Sequence, residues 1–309
     1  MSLLRSVLLR ASESRALGRH LPNWPVSRRA VRKFMPGETL ADALDAAAAL
    51  APSNIGTILT ELGENVTTME QAEAEAGAYR NVVDEIVKRR LDAEPSVKLT
   101  HLGLDIRRDA CESLVTDLAG YAAQKNTVLW IDMEGSAYTD ATLAIYAKVR
   151  ARVPGVGIAI QAYLRRTPQD IERLLAQDVT IRLVKGAYNE PAAIAYPDKR
   201  DVDAQYGRLA VRLLEARAAR PGVRVICGTH DMPLVERITQ AATRLGLARD
   251  AWEVHMLYGI RTADQLRLAA AGHKVKVLIS YGAAWFAWYM RRLAERPANL
   301  WFVLRSVVG

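Results

Sequence analysis

Eight short apolar runs recur along the chain, and they constrain its fold more than any other feature. They are "IGTILTEL" (55–62), "PSVKLTHL" (95–102), "TVLWIDM" (127–133), "VGIAIQAYL" (156–164), "VTIRLVKGA" (179–187), "VRVICGTH" (223–230), "AWEVHML" (251–257) and "KVKVLISY" (274–281). Most are rich in β-branched residues and nearly continuous in apolar character, as strands covered on both faces must be. Helical segments separate them. Thr67 with Glu70 forms a capping box ahead of a helix running toward Arg90. Thr167 and Pro168 set an N-cap and an N1 proline before "QDIERLLAQ". Thr262 with Gln265 caps a short helix that Gly272 can close. Strands alternating with helices in this number predict an α/β protein, a (β/α)₈ barrel; a doubly wound open sheet is the alternative and usually has fewer strands. Residues 1–50, including "TLADALDAAAAL", read as a helical segment packed on a barrel that occupies 51–309.

The bulk properties agree with one such domain. A chain of 309 residues suits a single barrel, and its hydrophobic content of 50% supplies a core. No apolar run reaches the eighteen or so residues that span a bilayer. Lysine and arginine number 42 against 34 acidic residues, a net charge of +8. The arginines are scattered and match no nucleic-acid motif, so the charge points to anionic substrates or an anionic membrane surface. Cys111 and Cys227 make no disulfide framework, and a reducing, cytoplasmic setting is the simpler reading. The arginine- and serine-rich start, "MSLLRSVLLRASESRALGRHL", reads as a short amphipathic helix, with an organelle transit peptide as the alternative.

In a (β/α)₈ barrel, chemistry sits at the C-terminal ends of the strands. Those ends carry Glu64, Lys98, Asp132, Gln161, Arg182, Lys185, Tyr188, Thr229, His230, Asp231, His255 and Tyr281. Any one of these suits a solvated loop or a satisfied core position; their density argues for a site. Arg182 and Lys185 lie in a run that should be buried, where an unpaired charge is costly. Alternation sends the two to opposite faces, and each needs a carboxylate, a phosphate or an electron-rich cofactor. Asp132, His230 and His255 form one competing set, the ligands of a metal-dependent barrel hydrolase. With five histidines in all and no HExxH, that signal is weak. "GVGIAI" offers only GxG and enters a strand, so a Rossmann loop is not indicated. No GxSxG elbow or Walker A sequence appears. Arg291 and Arg292 are adjacent on a helix near Tyr281, Trp285, Trp288 and Tyr289, an odd aromatic setting for a doubled cation.

The motifs "VKLTHLG", "IDMEGS", "QAYLRRT", "RLVKGAY", "GTHD", "WEVHMLYGI" and "YMRRLAERPAN" together resemble the proline dehydrogenase family, in that family's order, from about Glu64 to Phe302. The resemblance implies a distorted (β/α)₈ barrel that binds FAD without a Rossmann loop. It implies oxidation of L-proline to Δ1-pyrroline-5-carboxylate by hydride transfer to flavin N5, the first step of proline catabolism. Electrons would go to a quinone-type acceptor, in the cytoplasm or at the periphery of an inner membrane, or in mitochondria if the source is eukaryotic. By the same resemblance Gln161 meets the flavin pyrimidine edge and Arg182 lies near N5. Lys185, with Asp132, Gly186 and Ala187, serves the cofactor's polar groups, and Thr229 and His230 meet its adenosine or phosphate half. Arg291 and Arg292 match a clamp on the substrate carboxylate, completed by Lys98 and oriented by Glu295. Asp132, Ala187, Tyr188, Leu257 and Tyr281 match the rest of the pocket, and Glu64 a gate that pairs with Arg292. Asp231 stands where the family usually has asparagine, and His255 where it commonly has glutamine.

Overall fold

The computed structural model describes residues 33–63 and 66–285. Within them eight parallel strands close into one barrel in sequence order. The strands are β1 (Ile55–Glu61), β2 (Ala93–Val97), β3 (Trp130–Ile131), β4 (Gly157–Gln161), β5 (Thr180–Val184), β6 (Arg224–Gly228), β7 (Glu253–Leu257) and β8 (Lys274–Tyr281). The ladder closes where β8 pairs with β1 from Ile55 opposite Val275 to Glu61 opposite Tyr281. Helix α1 (Leu40–Leu50) precedes the barrel. The others lie between strands: α2 (Met69–Lys88), α3 (Arg108–Gln124), α4 (Thr139–Arg152), α5 (Thr167–Leu174), α6 (Lys199–Ala219), α7 (Met232–Arg244) and α8 (Thr262–Ala270). Helix α1 is entered through a capping box between Thr39 and Asp42 and buries Ala43, Leu44 and Ala47. It packs over β8 and β1, on the seam where the barrel closes.

Local boundaries differ from the sequence reading for identifiable reasons. β2 ends at Val97, and Thr100–Leu102 forms a 3₁₀ turn instead of continuing the strand. β3 keeps only two residues. Beyond the ladder, Glu134, in the loop after β3, takes the Thr100 N–H (3.1 Å) and hydroxyl (2.6 Å). A side chain thus ties the two loops where ladder bonds would have been. The N-cap of α2 is Thr68, with Gln71 at N3, one residue later than expected. The Gln71 side-chain oxygen also accepts from Thr67 N–H and hydroxyl, so both threonines compete for it. Arg166, not Thr167, precedes α5; the Thr167 hydroxyl donates to Gln161 O at 2.5 Å. At α8, Arg261 occupies the cap in a left-handed conformation, and Gln265 reaches back to the Leu257 and Ile260 carbonyls. Gly272, at φ +86°, does follow the last turn, donating to Ala269 O.

Two cores result. The larger lies between strands and helices. The smaller fills the lumen with Ile58, Trp130 and Ile226, joined by Val128 and Leu278. Below this plug the lumen is ionic. Arg224 grips Glu253 with two hydrogen bonds (2.7 and 2.9 Å) and reaches Glu94 at 2.9 Å. Lys276 bonds Glu94 (3.0 Å) and Asp92 (2.6 Å), and the Trp130 indole donates to Glu94 at 2.6 Å. Burial would push both glutamates up. Lys276 and Arg224 hold Glu94 below the ordinary carboxylate value, and hydrogen bonds from His255 and Arg224 do the same for Glu253. At neutral pH the floor of the barrel is therefore a set of ionised, mutually satisfied side chains, the condition under which buried charge is tolerated.

Candidate active site

The floor fixes what stands on it. Trp130, anchored through Glu94, carries the Arg182 guanidinium over its ring at 4.6 Å. Arg182 is 3% exposed; it donates to Ser96 Oγ at 3.0 Å and pairs with Asp132. Three strands, β2, β3 and β5, thus converge on one cation. In β4, next to β5, Gln161 donates to Met133 O at 3.4 Å. Its Oε1 and the Nη1 of Arg182 are buried and have no hydrogen-bond partner among the described residues. Lys98 directly follows β2, in step with Glu94 and Ser96, and is half-buried. Asp132, Gln161 and Arg182 are therefore brought together around the lumen mouth.

Lys185 turns to the opposite side, as alternation requires. It pairs with Asp203 on α6 and, at 2.9 Å, with Asp231; Lys199 closes the same cluster. Asp231 also caps α7 through Leu234 N–H. Partial burial raises its carboxyl, but Lys185 and Lys199, with the Leu234 N–H, together hold it below the ordinary value. Gly186 follows at φ +110°, and a Cβ there would lie 2.2 Å from the Tyr163 ring, so that turn admits no side chain. Ala187 and Tyr188 are half-buried just beyond it.

On the far side Thr229 N–H donates to His255 O (3.1 Å), and the Thr229 hydroxyl accepts from Asp231 N–H. The Nε2 of His230 accepts from Leu257 N–H at 2.8 Å, which puts the ring proton on Nδ1. His255 is engaged with Glu253 and Asp132 with Arg182. Among the described residues no group of three His, Cys, Asp or Glu side chains is arranged to hold a metal ion, which removes the geometric basis for the hydrolase alternative.

Tyr281 is placed differently from the expectation. Lys276 and Leu278 point into the lumen, so residue 281 falls on the outer face. There its hydroxyl lies 3.3 Å from Glu61 and its ring joins the outer core. Leu278, not Tyr281, is the β8 residue facing the lumen plug. Glu64, Arg291, Arg292 and Glu295 lie outside the described residues, as does the chain before Lys33. Two contributors were not singled out from sequence, Ser96 and Trp130. The available signal was their shared parity with Glu94 and Asp132 on adjacent strands.

The proline dehydrogenase family model matches residues 43–305. This chain belongs to the proline dehydrogenase family. Proline dehydrogenase 1 of Bacillus subtilis subsp. natto is 33% identical over 307 residues, covering 99% of each chain. Proline dehydrogenase of Deinococcus radiodurans is 32% identical over 281 residues, 89% of each. Among solved structures, proline utilization A from Bdellovibrio bacteriovorus inactivated by N-propargylglycine superposes with a TM-score of 0.80 at 20% identity. That match covers 95% of this chain and 36% of the longer protein, and at this identity it supports the barrel fold alone. No helix among the described residues is long and apolar enough to cross a membrane.

Proposed function

We propose that the protein oxidises L-proline to Δ1-pyrroline-5-carboxylate with FAD bound at the lumen mouth and a quinone-type compound as final oxidant. The observation that carries this reading is the pair of buried, unsatisfied atoms Gln161 Oε1 and Arg182 Nη1 on neighbouring strands. One accepts, as the N–H of a flavin's pyrimidine edge requires, one donates, as N5 requires, and buried polar atoms rarely go unpaired. When bound, FAD supplies the electron sink that no side chain here provides, taking hydride from the carbon next to the substrate nitrogen. The protein's part is to orient and to place charge. Arg182, held by Asp132 and Ser96, is a fixed cation where negative charge develops. Lys185, Gly186, Ala187, Thr229 and His230 would hold the remainder of the cofactor. Arg291 and Arg292 would clamp the proline carboxylate with two forked donors, helped by Lys98 and Glu295. Tyr188 and Leu257 would border the ring, and Glu64 would close over it. The net charge of +8 suits approach to an anionic membrane that carries quinone.

Purified protein should be yellow, and anaerobic L-proline should bleach its flavin bands. A colourless protein with stoichiometric zinc, or flavin bands indifferent to proline, would overturn the reading. A second expectation concerns the clamp. A charge-assisted hydrogen bond is worth about 1.5–3 kcal/mol, so Arg291→Met should lower kcat/KM for proline by roughly 10- to 150-fold. The carboxylate is remote from the bond being broken, so most of the loss should appear in KM. A KM within twofold of the parent, at equal FAD content, would remove Arg291 from the site.

A further inference from the structure

We propose that His255 is a positioning residue for Arg182: a neutral imidazole whose Nε2–H donates to Glu253 and whose Nδ1 receives Arg182 through one bridging water. The proposal rests on the reading of Arg182 as the cation of the site. His255 lies in the middle of β7 and is 4% exposed, and its Nε2 is 3.2 Å from Glu253 Oε2. Glu253 is held from its other side by the fork of Arg224, so it is an anion with only acceptors to offer. The shared proton therefore belongs to His255 Nε2, and in the neutral ring Nδ1 is an acceptor. That Nδ1 is buried with no partner among the described residues, and so is the donor Nη1 of Arg182, one of whose two N–H groups stays available to the flavin.

The two orphans share one support. Arg182 lies over the face of Trp130 at 4.6 Å, and His255 meets the same indole edge-on at 5.9 Å. Neither bonds the other directly, and one water between them would satisfy both, as buried waters do for complementary orphans. Burial favours the ring's neutral form, against the pull of the two nearest carboxylates. Glu253 on β7 and Glu94 on β2 face Arg182 on β5, Arg224 on β6 and Lys276, its ladder partner on β8. Asp132 on Arg182 and Asp92 on Lys276 complete the set, so the three cations are already matched by carboxylates and the buried ring need not be charged. Burial first, and Arg182 with it, hold the His255 pKa down to about 4 despite the attraction of Glu253. Through His255 the Arg224–Glu253 pair fixes the height and tilt of the guanidinium, and a second positive charge is kept out of the site.

The competing view is that His255 only packs against Trp130. ¹⁵N-resolved NMR of the full-length protein at pH 7 separates the two. The proposal expects the Nε2–H tautomer, with a His255 Nδ1 resonance that moves in Arg182→Met. An Nδ1–H tautomer, an imidazolium, or an Nδ1 resonance unmoved by Arg182→Met would overturn it. In the flavin-loaded protein, His255→Leu keeps bulk and loses both polar contacts. It should slow bleaching by proline about tenfold with KM within twofold, and His255→Gln, which restores a donor and an acceptor, should recover most of that loss. Parent rates in His255→Leu, or equal losses in both variants, would also overturn it. If His255→Leu fails to fold, the tautomer measurement decides. A parent that proline does not bleach would sink the proposed function while leaving the NMR result to judge the positioning role.

Discussion

Replacing Arg182 with methionine should slow bleaching of the bound flavin by proline about 100- to 1,000-fold, the usual cost of removing one preorganised charge donor from a reacting centre. The side chain is built for that role. It is a cation at 3% exposure, fixed by Asp132, by Ser96 Oγ and by the Trp130 face. Little reorganisation is then needed as negative charge appears beside it. The flavin reduction potential should fall in the same variant, because a neutral side chain no longer favours the reduced, more negative state. Methionine fills much of the volume but leaves Asp132 without its cation, so Arg182→Met with Asp132→Asn is the necessary companion. If the loss came only from an unpaired carboxylate, the double variant would recover. If it comes from the missing cation, the double variant stays slow. Arg182→Lys should fall between, since it keeps the charge and loses the fork that spans Ser96 and Asp132. A rate within threefold of the parent in FAD-loaded Arg182→Met, or an unchanged potential, would remove Arg182 from the reacting centre.

Much of this arrangement was legible in sequence because strands buried on both faces write themselves as apolar runs. All eight runs overlap barrel strands, and the opposite placement of Arg182 and Lys185 followed from alternation within a single strand. Parity across strands was not legible without the register. Tyr281, at a strand end, falls in the pocket by the family resemblance, yet Lys276 and Leu278 take the inward positions and send it outward. The ionic floor was missed for a related reason. Glu94, Arg224, Glu253 and Lys276 are far apart in sequence and sit at the starts or middles of strands, where catalytic residues are not sought. For Arg224, Glu253 and Lys276 the signal was charge inside runs that had to be buried, the argument applied to Arg182 and Lys185 alone; Glu94 lies one residue before its run. Helix caps slipped by one residue at Thr68 and Arg166 because adjacent hydroxyls compete for the same partner or find a nearer carbonyl.

The floor should also control acid stability. Arg224→Met leaves Glu94 and Glu253 in the lumen without their shared cation. Breaking a buried pair from one side costs about 3 kcal/mol or more, which corresponds to a fall in apparent Tm of roughly 6–12 °C at pH 7. The pH dependence identifies the cause. In the parent, Glu94 and Glu253 have folded pKa values below the ordinary 4.5. Their stabilisation is complete above 4.5 and is lost as pH falls through the folded values. His255 acts in the same direction. The unfolded chain takes up its proton below 6.5, whereas the folded chain resists until about 4, so stability declines across that window too. In Arg224→Met, burial meets only His255 at Glu253, so the folded variant takes up a proton there at a higher pH than the parent does. Its deficit relative to the parent should therefore shrink between pH 7 and pH 4.5. Neutralising the stranded carboxylate should act similarly, so Arg224→Met with Glu253→Gln should be less destabilised than Arg224→Met alone. Melting curves of the parent and both variants at the two pH values decide the matter. An equal Tm deficit at pH 7 and 4.5, together with strictly additive losses, would mean that Arg224 contributes packing and not the charge that keeps Glu253 ionised beneath His255.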